Sequence, residues 1–180
     1  MRIRAWLLGY LGFALLAAVG LAVPIGDLGV RILVLVLTFH VGVVAMARRT
    51  RDRVLMTAWA VLAPMSLLMV LPDWFLSAQV GSLVFPDTGG PFIGTVPLFM
   101  AGMWTIALLP VVLTGLVVGG RHGVTIGAAT AAGVGFALFW AAEVAAPLIP
   151  LWEPVGVAMV GGIASYVIVP ELVLSAAAYV

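Results

Sequence analysis

Val43-Val44-Ala45-Met46-Ala47-Arg48-Arg49-Thr50-Arg51-Asp52-Arg53-Val54-Leu55-Met56 is the stretch that decides the fold. Apolar residues run into it from Val30 and out of it as far as Leu71, while the turn between them carries four arginines. An apolar run of roughly 18 residues can cross the ~30 Å hydrocarbon core of a bilayer as a helix. Two such runs joined by a short basic turn predict a pair of spanning helices with the turn on the cytoplasmic side.

The pattern repeats outward from that turn. Six apolar segments are predicted, at about 5–23, 30–47, 54–71, 93–118, 124–146 and 163–180. The composition agrees, because 64% of the 180 residues are hydrophobic and only 8% charged, against about 25% charged in soluble domains. Backbone groups in hydrocarbon must bond internally, so each span is expected to be an α-helix. The expected fold class is all-α: a polytopic integral membrane helical bundle of about six transmembrane helices, forming one domain over 1–180. The start, Met1-Arg2-Ile3-Arg4 and an apolar run to Val23, has the features of a signal peptide. Its apolar run is long enough to span, and it is taken as an uncleaved first helix.

Charge sorting supplies the topology. With six spans, Arg2, Arg4, Arg48, Arg49, Arg51, Arg53 and Arg121 fall on one side, leaving only Arg31 of the eight arginines on the other. That side is expected to be cytoplasmic, with both termini there, in the cell membrane. Arg31 is expected to snorkel to the outer interface. The short basic loop lacks interleaved aromatics and suits anionic lipid better than nucleic acid.

Two connections on the outer side, Trp74–Phe85 and Leu148–Gly161, are too short to span and too apolar for solvated loops. They are expected to be hairpin or re-entrant segments. Each follows a helix with an acidic end (Asp73, Glu143), carries a further acid (Asp87, Glu153) and leads into a helix with an early proline (Pro97, Pro170). This order suggests an internal repeat around a central site.

Several chemistries are excluded at once. Without cysteine there is no disulfide, thiol nucleophile or thiolate metal site, and without lysine there is no Schiff base. His40 has no partner at metal-ligand spacing, so neither metal nor cofactor is expected. A neutral imidazole donating to a backbone carbonyl is its simpler reading, and His122 suits a lipid headgroup.

The acids are the candidates that remain. A charge in a spanning helix costs about 2.5–3.5 kcal/mol on insertion scales and marks a candidate site. Glu143 and Glu171 are the carboxyls expected to be buried, with Asp73 at a helix end beside Trp74. A carboxyl kept protonated by apolar surroundings can act as a general acid, and tryptophan faces can stabilise a cation. Glu143, Glu171 and Asp73 are thus the catalytic candidates, and Trp74, Trp104 and Trp140 the substrate-lining ones. The simpler readings are an interfacial belt for the tryptophans, turns or caps for Asp27 and Asp87, and solvation for Glu153.

The stretch from Pro72 to Trp104 resembles the repeat of the small membrane-embedded lycopene cyclases. The resemblance rests on Asp73 at a helix end, Gly81, Phe85-Pro86-Asp87 and Ile93-Gly94-x-x-Pro97. It implies a helical-bundle enzyme acting by acid catalysis, without redox change, on a carotenoid or other isoprenoid. Where that family carries acids after the proline, this chain has Leu98-Phe99-Met100. Asp73 and Glu171 carry over best.

Three functions therefore stand as expectations. The first is acid-catalysed modification of an apolar isoprenoid lipid in an outer-side pocket. The second is a small proton- or cation-coupled transporter, with Glu143, Glu171 and His40 on the path and Thr38, Thr114 and Thr130 as further polar groups. The third is a non-catalytic assembly subunit. Small-residue ridges containing Gly115, Gly119, Gly127 and Gly135 let helices approach closely and would support a homo-oligomer or a partner subunit.

Overall fold

A computed structural model describes residues 3–180, so Arg2 of the basic N-terminal pair lies outside the described residues. The chain is all-α, with 73% of the described residues helical. Five helices are long and apolar enough to cross a membrane: α1 (Ile3–Ala22), α2 (Leu28–Thr50), the continuous stretch Arg53–Val80, α5 (Met100–His122) and α6 (Val124–Ala145). The stretch Arg53–Val80 comprises α3 (Arg53–Leu68), α4 (Val70–Trp74) and a π-helical turn (Phe75–Val80). A sixth apolar helix, α7 (Ser165–Tyr179), is shorter. Six strands of two residues each lie in the connections: β1 (Leu83–Val84), β2 (Phe92–Ile93), β3 (Val96–Pro97), β4 (Glu153–Pro154), β5 (Met159–Val160) and β6 (Ile163–Ala164).

The basic turn is built as its sequence demands. Arg51 adopts the left-handed conformation (φ 53) that ends α2, and the Asp52 and Arg51 amides donate to the carbonyls of Ala47 and Arg48. Asp52 then caps α3, accepting from the Leu55 amide at 3.1 Å. One residue thus closes one helix and opens the next, satisfying end groups that apolar surroundings would leave unpaired.

Three boundaries differ from the sequence reading. Residues 74–80 continue the third helix, so its 28 residues rise about 42 Å at 1.5 Å each and outrun the hydrocarbon thickness. The fourth helix begins at Met100, not near Ile93, because Phe92–Pro97 folds into the β2–β3 hairpin first. The last helix begins at Ser165 because Met159–Ala164 forms the β5–β6 hairpin; its 15 residues rise only about 22 Å.

Those two hairpins give the suspected repeat a physical form. Phe92 pairs with Pro97 and Ile93 with Val96; Met159 pairs with Ala164 and Val160 with Ile163. Every position is matched 67 residues on, as are the closing bonds from Leu98 N to Pro91 O and from Ser165 N to Ala158 O, both 2.9 Å. Gly94 (φ 63) and Gly161 (φ 59) supply the same left-handed turn residue.

The chain divides into two compact units. The first contains residues to Val70 and Asp87–Ile106. Its centre is an aromatic column in which Phe39 of α2 meets Phe13 and Tyr10 of α1 edge-on at 4.9 and 5.7 Å. The column continues through His40 to Trp59 of α3. The second unit contains Leu71–Pro86 and Ala107–Val180, with α6 packed along α7. Many large apolar side chains on the long helices face outward; Leu8 and Leu15 are each 70% exposed, and Trp6 is the buried residue of α1. An exposed apolar surface of that extent suits lipid and not water.

Candidate functional site

The second unit brings the predicted acids together. Glu143 lies on α6 at the end of the series Gly127, Ala131, Gly135, Phe139, Glu143, a four-residue spacing that places each residue beside the next along a slowly turning stripe. The first four of these residues are buried. Glu171 lies about 9 Å into α7 from Ser165 and is 9% exposed; Asp73, at the end of α4, is 6% exposed. All three carboxyls lie within electrostatic range of the Tyr166 phenol, and Glu143 is within range of Glu171.

Two connections complete the site. The turn after α6 carries Trp152, whose indole Nε1 donates to Glu143 Oε1 at 2.9 Å. The turn after the π-helical segment, closed by Gly81 (φ 69), places Ser82 against the Tyr166 hydroxyl. Pairing of Leu83 with Pro154 and Val84 with Glu153 ties these two turns to each other. The Ser82 Oγ is buried, with the Tyr166 hydroxyl as the polar group beside it.

The tryptophan candidates divide. Trp74 and Trp140 are 41% and 43% exposed; Trp140 stacks at a tilt on Phe136, 5.5 Å away. Trp104 is half-buried on the part of α5 belonging to the first unit. Trp152, not among the predicted lining residues, brings its indole to the Glu143 carboxyl. Tyr166 and Ser82 were missed altogether. Their signal was modest: a tyrosine one helical turn before Pro170-Glu171, and a serine just past a turn glycine.

The remaining polar candidates have ordinary partners. Asp87 accepts from the Gly89 amide at 3.0 Å, a local turn contact, and Asp27 occupies the N-cap position of α2. Glu153 is exposed. Thr38, Thr114 and Thr130 each bond the carbonyl four residues back in their own helix. His40, in the first unit, accepts from Trp59 Nε1 through Nδ1 at 3.0 Å and faces the Gly102 carbonyl through Nε2 at 3.1 Å. Both ring nitrogens are occupied, as the simpler reading expected. Among the described residues no group of three or more His, Cys, Asp or Glu side chains is arranged to hold a metal ion.

A continuation of the site was also missed. Below Glu171 on α7 come Ser175 and Tyr179 at successive intervals of four residues, so the inward face of this apolar helix is a polar file. Ser175 is fully buried and its Oγ has no hydrogen-bond partner. It occupies the space a side chain at Gly135 would need, and the Tyr179 ring occupies the space over Gly115, Gly119 and Gly127. The four ridge glycines therefore serve contacts of α7 within the chain.

No curated protein and no solved structure matches the chain. A family model described as a domain of unknown function, DUF6989, matches residues 70–180, a stretch that holds Asp73, Ser82, Glu143, Trp152, Tyr166 and Glu171. Since that match covers more than half of the chain, the protein belongs to the DUF6989 family.

Proposed function

We propose that the protein is a small proton-handling membrane transporter or channel-like subunit whose working groups are Asp73, Glu143, Glu171 and Tyr166. The observation that carries this reading is that three carboxyls lie within electrostatic range of one phenol, which also meets the buried Ser82 hydroxyl. Two acids within range of each other in low dielectric, as Glu143 and Glu171 are, do not both carry charge readily, so they can hold and exchange a proton between them. The setting in the cell membrane, with the 48–53 turn, Arg121 and both termini cytoplasmic, is part of the same proposal and rests on the positive-inside rule. Membrane lipids are the surrounding partners. Self-association through the glycine ridges would compete with the contacts they make to α7.

Purified protein in phosphatidylethanolamine–phosphatidylglycerol vesicles, loaded with a pH-sensitive dye and driven by a potassium-diffusion potential, tests the reading. Acidification should exceed that of empty vesicles and fall to their level in Glu171→Gln and Glu143→Gln. Glutamine keeps an oxygen for the Trp152 indole, so Glu143→Gln removes the titrating group while leaving that contact available. Wild-type flux in both variants would reject the proposal.

The acid-catalyst reading has its own support in the Trp152–Glu143 hydrogen bond. It orients one carboxyl beside an aromatic ring, as protonation of an isoprenoid double bond and stabilisation of the resulting cation require. The partial resemblance to the membrane lycopene cyclases points the same way. Lipid extracts of membranes with and without the protein should then differ in their isoprenoids, and an unchanged profile would dismiss this alternative.

A further inference from the structure

We infer that Glu171, Ser175 and Tyr179 form a proton route along the inward face of α7, from the acid cluster toward the Arg121-His122 turn. The inference rests on the proton-handling reading above and specifies its path. Three independent features support it. The residues recur every fourth position and so share one face of the helix. Ser175 is fully buried with its hydroxyl unpaired, while the hydroxyls of Thr38, Thr114 and Thr130 bond back to their own helices. The facing residues on α6, Gly135, Ala131 and Gly127, are small, and the Tyr179 hydroxyl sits in the notch left by Gly119 and Gly127. That notch is next to the helix ends bearing Arg121 and His122.

The chemistry balances with water as the only co-reactant. Successive members are about 6 Å apart along the axis, farther than one hydrogen bond reaches, so the route requires a water molecule to enter each gap. Protonated Glu171 gives its proton to the first water, which releases one of its own to Ser175 Oγ, and Ser175 releases its hydroxyl proton onward. Tyr179 receives a proton and passes its own to solvent at the turn. One proton moves, each hydroxyl and water regains its composition, and Glu171 is left as a carboxylate to be reprotonated from the cluster. Glu143 and Tyr166 are the titratable groups within electrostatic range of Glu171. Arg121 and His122 are the ones at the exit.

The vesicle assay separates this route from the reading beneath it. Ser175→Ala removes a hydroxyl with no hydrogen-bond partner, and Tyr179→Phe keeps the ring in its glycine notch, so both variants should retain the wild-type thermal midpoint. Each should lower the acidification rate at least tenfold, and Glu171→Gln should bring it to the empty-vesicle level. If either Ser175→Ala or Tyr179→Phe keeps the wild-type rate while Glu171→Gln loses it, the route is overturned and the acid cluster stands. If Glu171→Gln itself keeps that rate, or the wild type matches empty vesicles, both fail.

Discussion

The Tyr10 hydroxyl donates a hydrogen bond to the carbonyl of Ile106, a carbonyl that has lost its donor within its own helix. Its ordinary partner in α5 would be the amide of residue 110, and that residue is Pro110. A proline is tolerated in a membrane helix when another group satisfies the freed carbonyl, and a side chain 96 residues away does so here. Tyr10→Phe should therefore destabilise the protein by about 1 kcal/mol, within the range for such bonds in membrane proteins. In a Pro110→Ala background, where the helix can supply its own donor, the same change should cost less. Unfolding of the four proteins in a denaturing detergent titration measures the difference, and equal costs in both backgrounds would reject this account.

The contacts of His40 fix its tautomer. Trp59 Nε1 can only donate, so Nδ1 accepts; the Gly102 carbonyl can only accept, so Nε2 carries the proton. Nitrogen NMR of ring-labelled protein should show a single Nε2–H form at neutral pH. In Trp59→Phe the Nδ1 partner is lost, and signals for both tautomers should appear. A mixed population in the wild type would contradict the geometry.

How much of this was legible in the sequence depends on the length scale of the cause. The helices, the basic turn and the buried acids follow from local rules: apolar run length, arginine placement and the cost of a carboxyl in hydrocarbon. Glu171 is buried, as expected, but Glu143, expected to be buried with it, is only half-buried, and Asp73 at its helix end is the second buried acid. The short hairpins were not legible, because Phe92–Pro97 and Met159–Ala164 are as apolar as the helices they precede. Tyr166 and Ser82 were missed since only tertiary folding brings residues 84 positions apart together. Ser175 could have been found, because Glu171, Ser175 and Tyr179 fall on one helical face by simple counting.

Gly133 and Gly135 lie two residues apart on α6, on opposite sides of the helix. A methyl group at Gly135 would collide with Ser175, whereas nothing lies within 4 Å of one at Gly133. Gly135→Ala should therefore destabilise the α6–α7 contact by about 1–3 kcal/mol, the usual cost of overpacking. Gly133→Ala should be neutral or stabilising by up to about 1 kcal/mol through helix propensity. Ser175→Ala should recover part of the Gly135→Ala loss by removing the nearer of the two clashing atoms, Oγ, while Cβ at 2.5 Å remains. Thermal midpoints of the purified variants decide it, and equal behaviour of the two alanines would show that the ridge is not packed as described.

Arg31, the one arginine that breaks the charge sorting, has a structural task at the end of α1. Its Nη1 donates to the carbonyls of Gly20, at 3.2 Å, Leu21, at 3.0 Å, and Val23. Terminal carbonyls of a helix have no intrahelical donors, and a cation there also complements the negative end of the helix dipole. Anchoring by this contact locates the charge in the fold without requiring a lipid partner. Arg31→Met keeps much of the apolar stem and removes the donors, so the last turn of α1 should fray. Hydrogen exchange at the Val23 amide, bonded to Val19 O at 3.0 Å, should then accelerate about tenfold, corresponding to ~1.4 kcal/mol of lost local stability. Arg31→Lys, with a single ammonium in place of the guanidinium fork, should fall between the two, and unchanged exchange in Arg31→Met would show that the cap is not held by this side chain.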